Sequence, residues 1–211
     1  IDCDTNRNFY CFSTVQFDTM ISQFGNEDIS KAYVSWSLKD KSSVLLTGNF
    51  VCQHLKKGDL THLGNIKIVM PTITSAKKLT FVLRLSGGKY DLENEWNFWA
   101  YPQIKKQNKL HHYSVVEKLS RTVLDKLVNG ERVVLLGNKP FPSMETHFMS
   151  SSSGRAGNHK GTVIHDHALM RQFPHEGFFD LQFFNMLDKD AYPITFENNE
   201  MPFDPIIELI S

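Results

Sequence analysis

Between about residue 12 and residue 102 of this 211-residue chain, apolar side chains recur at every second position, and that period of two constrains the fold more than any other feature. Successive side chains of a strand point to opposite faces, so each such run presents one apolar and one polar face. Val34, Trp36 and Leu38 share a face, with Ser35 and Ser37 on the other. The polar stretch Lys39-Asp40-Lys41-Ser42-Ser43 then reads as a turn into Val44-Leu45-Leu46. Ile66, Ile68 and Met70 alternate with Lys67 and Val69 until Pro71, which cannot donate to a ladder. Leu79, Phe81, Leu83 and Leu85 alternate with Thr80, Val82 and Arg84, and Trp96 to Tyr101 forms a last run before Pro102.

Strands at this spacing, with polar turns and no helical stretch, predict an antiparallel β-sandwich of about 90 residues. An immunoglobulin-like domain over residues 1–103 is the leading expectation. Cys11 and Cys52 bracket Trp36, although not at the spacing of an antibody domain. With Cys3 they make an odd set confined to the first quarter of the chain, compatible with one disulfide and one leftover thiol.

After Pro102 the pattern changes. The basic connector Lys105-Lys106-Gln107-Asn108-Lys109 leads to Ser114 and Glu117, which have the S-x-x-E spacing of a capping box. Val116, Leu119, Val123 and Leu127 follow on one helical stripe, with Lys126 in the last turn and Gly130 just beyond, so a helix is expected over 114–128. The apolar run Val133-Val134-Leu135-Leu136 behind it reads as a buried parallel strand. Residues 104–211 are therefore expected to form an α/β module. Residues 138–161, rich in Ser, Gly, Asn and Pro, read as a long loop around a short strand at Thr146–Met149. Thr162-Val163-Ile164 reads as a strand, and Phe178 to Leu187 as a helix on the strength of its length. Pro205 to Ile210 reads as a buried strand at which the chain stops without a polar tail, and Ile1 opens it without a methionine or signal peptide. Both ends suggest a piece cut from a longer protein, with an open apolar edge at Ile206 to Ile210.

Charge and composition exclude whole classes of partner. The 23 basic and 23 acidic side chains balance, with no long run of one sign, so neither nucleic acid nor an anionic membrane surface is an expected partner. No window approaches the roughly 18 to 20 consecutive apolar residues that a membrane-spanning helix needs.

The densest polar cluster is His165-Asp166-His167, followed by His175-Glu176. On a strand, His165 and His167 would share a face and could hold zinc with Asp166 or Glu176 in support, which would make a metal-dependent hydrolase. Two histidines are an incomplete cage, so the stronger reading has these groups capping and orienting a turn, with no metal and no cofactor. There is no G-x-S-x-G elbow and no cysteine beyond Cys52, and Gly87-Gly88 lacks the strand–loop–helix context of a phosphate cradle. No catalytic residue is therefore assigned. Trp96 and Trp99 have the flat faces that stack on sugar rings, although core or domain-interface packing is the commoner use of such residues.

The phrase Asn94-Glu95-Trp96-Asn97-Phe98-Trp99-Ala100-Tyr101-Pro102, together with Val34-Ser35-Trp36-Ser37-Leu38, resembles the immunoglobulin-like domain of β-galactosidase-type family 2 glycoside hydrolases of Bacteroidetes. His167-Ala168-Leu169-Met170, Phe173 to Phe178 and Asp180 to Phe183 are similar to the module that follows it, a degenerate glutamine amidotransferase-like or flavodoxin-like α/β fold. The resemblance implies an accessory C-terminal region of a periplasmic, cell-surface or secreted enzyme, partnered by the catalytic domain of the same polypeptide and in contact with carbohydrate. The catalytic glutamates of that family lie in a TIM barrel of about 250 residues, for which this chain has no room. An autonomous carbohydrate-binding module is the alternative. In either case the candidate sugar contacts are Trp96, Trp99, His165, Asp166, His167, His175 and Glu176.

Overall fold

A computed structural model of the chain describes residues 6–103, 113–136, 142–143, 161–187, 193–194 and 205–210. The chain divides into two compact units. The first comprises Ile1–Gln103, His167–Glu176 and Asp180–Gln182, and the second comprises the remainder. A cut after residue 103 is thus only part of the division, because two short later segments return to the first unit.

The alternating runs of the first unit become β1 (Asn8–Tyr10), β2 (Thr14–Ser22), β3 (Ile29–Asp40), β4 (Ser43–Leu55), β5 (Leu60–Val69), β6 (Lys77–Gly87) and β7 (Tyr90–Tyr101). Five of them form one sheet in the order β1-β7-β6-β3-β4, antiparallel except for the parallel pair β1–β7. β2 and β5 pair antiparallel as a separate ribbon, with a bulge at Thr19/Met20. Val15 and Phe17 from β2, with Ile66 and Ile68 from β5, share one apolar cluster with Leu38, Leu79, Phe81 and Phe98 of the large sheet. The core therefore lies between ribbon and sheet, as the alternation requires.

The strands are longer than the short ones read from sequence, reaching 13 residues in β4. Polar Thr47 and Asn49 do not end β4 because they occupy its exposed face, where a polar side chain keeps its water. Lys39–Ser43 does form a tight turn, in which Asp40 pairs with Ser43 and Lys41 has φ +53°. Cys11 and Cys52 are buried free thiols, so neither is part of a disulfide; Cys3 lies outside the described residues.

The second unit contains β8 (Tyr113–Val116), α1 (Arg121–Val128), β9 (Arg132–Leu135), β10 (Gly161–Ile164), α2 (Phe184–Leu187) and β11 (Ile207–Ile210). The helix expected over 114–128 is shorter at its start. Ser114 and Glu117 do not form a capping box: Ser114 is in β8, and the N-cap is Ser120, whose Oγ accepts from the Val123 amide at 3.3 Å. At the other end Gly130 takes φ +81°, the left-handed conformation in which a Cβ is penalised. β8 and β9 pair in parallel across α1, making one βαβ unit. β10 and β11 pair antiparallel with each other and in a separate ribbon. The described residues thus form one βαβ unit and one ribbon, not the layered α/β module expected, because Thr162–Ile164 and Ile207–Ile210 take each other as partners instead of extending a parallel sheet. Pairing with β10 also occupies one edge of β11, where Ile206, Ile207 and Leu209 are half-buried.

The segment Phe178–Leu187 is helical only from Leu181, as a 3-10 turn followed by α2, with Phe179 and Phe183 stacked at 4.5 Å. The expected strand at Thr146–Met149 lies outside the described residues. Among the described residues no helix is long and apolar enough to cross a membrane.

Candidate functional site

The outer face of the large sheet, turned away from the apolar core, carries an open cleft of about 660 Å3. Its floor is made by Tyr33 and Ser35 of β3 and by Arg84 and Ser86 of β6. These residues stand opposite each other in register: Tyr33 faces Ser86 and Ser35 faces Arg84. The floor exists because β3 alternates: Ala32 and Val34 turn into the core, which leaves 31, 33 and 35 on the other face.

Lys31, Lys89, Tyr90 and Asp91 complete the walls. The turn between β6 and β7 sets the rim, with Gly88 at φ +56°. Gly87 is needed for close approach, since a Cβ there would lie 2.7 Å from the carbonyl oxygen of Lys31. Tyr90 is anchored because its hydroxyl accepts from the Asn26 amide at 3.1 Å.

The charges of the cleft are mostly paired. Arg84 donates from Nε to Asp91 at 2.8 Å and from Nη2 to the other carboxylate oxygen, a two-pronged contact. That hydrogen bond holds the Asp91 carboxyl below its ordinary range, and Arg84 is raised in turn, with a smaller contribution from Glu93. Lys89 lies 3.1 Å from Glu27, which raises its pKa through the same kind of bond. Lys31 differs: its ammonium sits 4.9 Å from the centre of the Tyr33 ring, a cation–π contact, and among the described residues no carboxylate pairs with it. The cleft can therefore offer hydroxyls, a paired fork and one cation held on a ring.

Of the seven residues read from sequence as sugar contacts, Trp96, Trp99, His167, His175 and Glu176 lie in the first unit. Trp96 and Trp99 are three positions apart on β7 and so lie on opposite faces of the sheet. Trp96 joins Phe98 in the packing around Phe81, 6.2 Å from that ring. Trp99 is 1% exposed, in keeping with the packing use that the sequence also allows for it. The return segment of the first unit lies on the same outer side. Asn8 donates to the Gln182 carbonyl at 2.7 Å, Gln182 donates to the Tyr101 hydroxyl at 2.5 Å, and Lys78 donates to Glu176 at 2.6 Å.

His165 and Asp166 belong to the second unit, and His167, His175 and Glu176 to the first. β10 ends at Ile164, so the shared strand face that would have paired His165 with His167 does not exist. His165 lies 3.2 Å from Glu208 of β11, and His167 accepts from the Leu169 amide through Nδ1 at 3.2 Å. Asp166 is exposed and His175 half-buried. Among the described residues no three His, Cys, Asp or Glu side chains gather where they could hold a metal ion.

The cleft residues carry little signal in sequence because a strand's polar face looks like ordinary solvated surface. The available signal was the pair of aromatic and basic residues, Lys31 and Tyr33, placed on that face two positions apart.

No curated protein matches the chain. Residues 13–102 match the model of a domain of unknown function (DUF8488), and residues 114–211 match that of a second domain of unknown function (DUF8487).

Proposed function

We propose that the chain is a non-catalytic accessory region of an exported, family 2-like glycoside hydrolase, and that it supports the catalytic barrel of the same polypeptide. The observation that carries this reading is the role of the phrase Asn94–Pro102, on which the resemblance rests. It supplies β7, and Trp96, Phe98, Trp99 and Ala100 all go into packing. Residues used in this way suit a scaffold better than a reaction centre. The coding sequence continuous with Ile1 tests the proposal: it is expected to encode a TIM barrel bearing two glutamates. A separate gene confined to this segment, or hydrolysis of aryl galactosides by the chain alone, would contradict it.

A second reading, a carbohydrate-binding unit, is favoured by the outer-face cleft, whose hydroxyls and half-exposed tyrosine suit a polyhydroxylated ligand. Saturable binding of oligosaccharide that weakens on Tyr33→Ala supports it. Binding that is untouched by Tyr33→Ala places the sugar elsewhere.

A further inference from the structure

We infer that the outer-face cleft binds a carboxylate-bearing oligosaccharide, with Lys31 receiving the carboxylate. The saccharide half of this inference rests on the carbohydrate-binding reading; the charge half rests on the geometry of the cleft itself. Arg84 is taken up by Asp91, with Glu93 opposite it in register, and Lys89 is taken up by Glu27. Lys31 is the cation of the cleft to which no described carboxylate is paired, and the ring of Tyr33 holds it in place. An ammonium has three donors and no acceptor, so a partner that completes it carries oxygen and preferably negative charge.

The rest of the cleft fits sugar better than peptide. The floor offers the hydroxyls of Tyr33, Ser35 and Ser86, and its sides are ordered strands that need no rearrangement to receive a ligand. Ser86 stands opposite Tyr33 in register, so its hydroxyl lies beside the ring that carries the Lys31 ammonium. An extended acidic peptide would instead seek an unpaired strand edge, whereas β3 and β6 are both interior strands of the sheet.

Titration calorimetry on the whole chain tests this with three probes: an oligogalacturonate, a neutral galacto-oligosaccharide of equal length, and an oligoglutamate of equal charge. The expected order has the oligogalacturonate tightest, with the other two at least about tenfold weaker. Lys31→Ala is expected to lower oligogalacturonate affinity about tenfold and leave the neutral sugar within about twofold. Tyr33→Phe keeps the ring under Lys31 and is expected to lose less than Tyr33→Ala. Circular dichroism of each variant separates lost binding from lost fold, and both positions are exposed. Equal binding of the acidic and neutral sugars overturns the role of Lys31 while leaving the carbohydrate-binding reading standing. Equal binding of oligoglutamate overturns the sugar assignment. Binding of none overturns the inference outright, and the coding sequence before Ile1 still decides the accessory-region reading separately.

Discussion

Trp36 and Gly48 stand opposite each other in β3 and β4, and the indole lies so close that a Cβ on Gly48 would meet Trp36 Cζ2 at 2.5 Å. The ring cannot simply swing away, because it stacks on Phe81 at 6.0 Å and Phe81 in turn stacks on Phe98 at 5.6 Å. Gly48→Ala is therefore expected to lower stability by about 1–3 kcal/mol through overpacking and to alter Trp36 fluorescence, both followed in a urea titration. Removing the middle ring is more severe. Phe81→Ala at a fully buried site is expected to cost about 3–5 kcal/mol in the same measurement. Titration acts at this scale as well. Asp91 and Asp18 are held below their ordinary value of 3.8 by hydrogen bonds from Arg84 and from His62 and Asn65. A carboxyl depressed by folding stabilises above its unfolded pKa and loses that contribution as pH falls through the folded one. The midpoint of urea unfolding is thus expected to drop as pH falls below about 4, and less steeply in Asp91→Asn. An unchanged slope in that variant would show that the fork does not couple to folding.

At the scale of elements, the period of two was the legible signal. It identified β3, β5, β6 and β7 because each buries one face, and burial is what the alternation encodes. The start of α1 was not legible. Ser114 and Glu117 have the capping-box spacing, but Tyr113–Val116 pairs in parallel with Arg132–Leu135, and Ser114 Oγ accepts from Lys126 at 3.1 Å. A capping motif is a local signal, and a long-range strand pairing outweighs it. Ser120→Ala is expected to remove about 1 kcal/mol from the stability of the second unit, whereas Glu117→Gln leaves it unchanged, measured by thermal unfolding. The reverse order would restore the cap to Ser114. The zinc alternative placed His165 and His167 on one strand face, and β10 stops one residue before the first of them.

Over the whole molecule, the described residues of the two units differ in how many apolar side chains they bury. The first has two clusters, one around Phe17, Phe81 and Phe98 and one around Val34, Leu55 and Leu85. In the second, Val123, Ile164 and Phe183 are the buried apolar side chains among the described residues. Local opening is easiest where few apolar contacts must break. Amide exchange is therefore expected to be slowest in β3 and β6, whose strands are flanked on both sides, and much faster in β8, α1 and β9. Uniform protection across both units would show one cooperative structure instead. In the second half the apolar runs at residues 133–136, 162–164 and 205–210 were legible as the strands β9, β10 and β11, whereas their pairing was not, because partner choice is a long-range property that a short apolar run does not encode.

We propose that a carbohydrate ligand meets the outer face of the five-stranded sheet, through residues between Lys31 and Asp91. Amide chemical-shift mapping during titration with an oligogalacturonate tests it most directly. The predicted result is a saturable set of shifts at Lys31, Tyr33, Ser35, Arg84, Ser86 and Lys89, with Ile66 and Phe98 in the core unmoved. Shifts centred on His165 to Glu176, with those six residues silent, would contradict it.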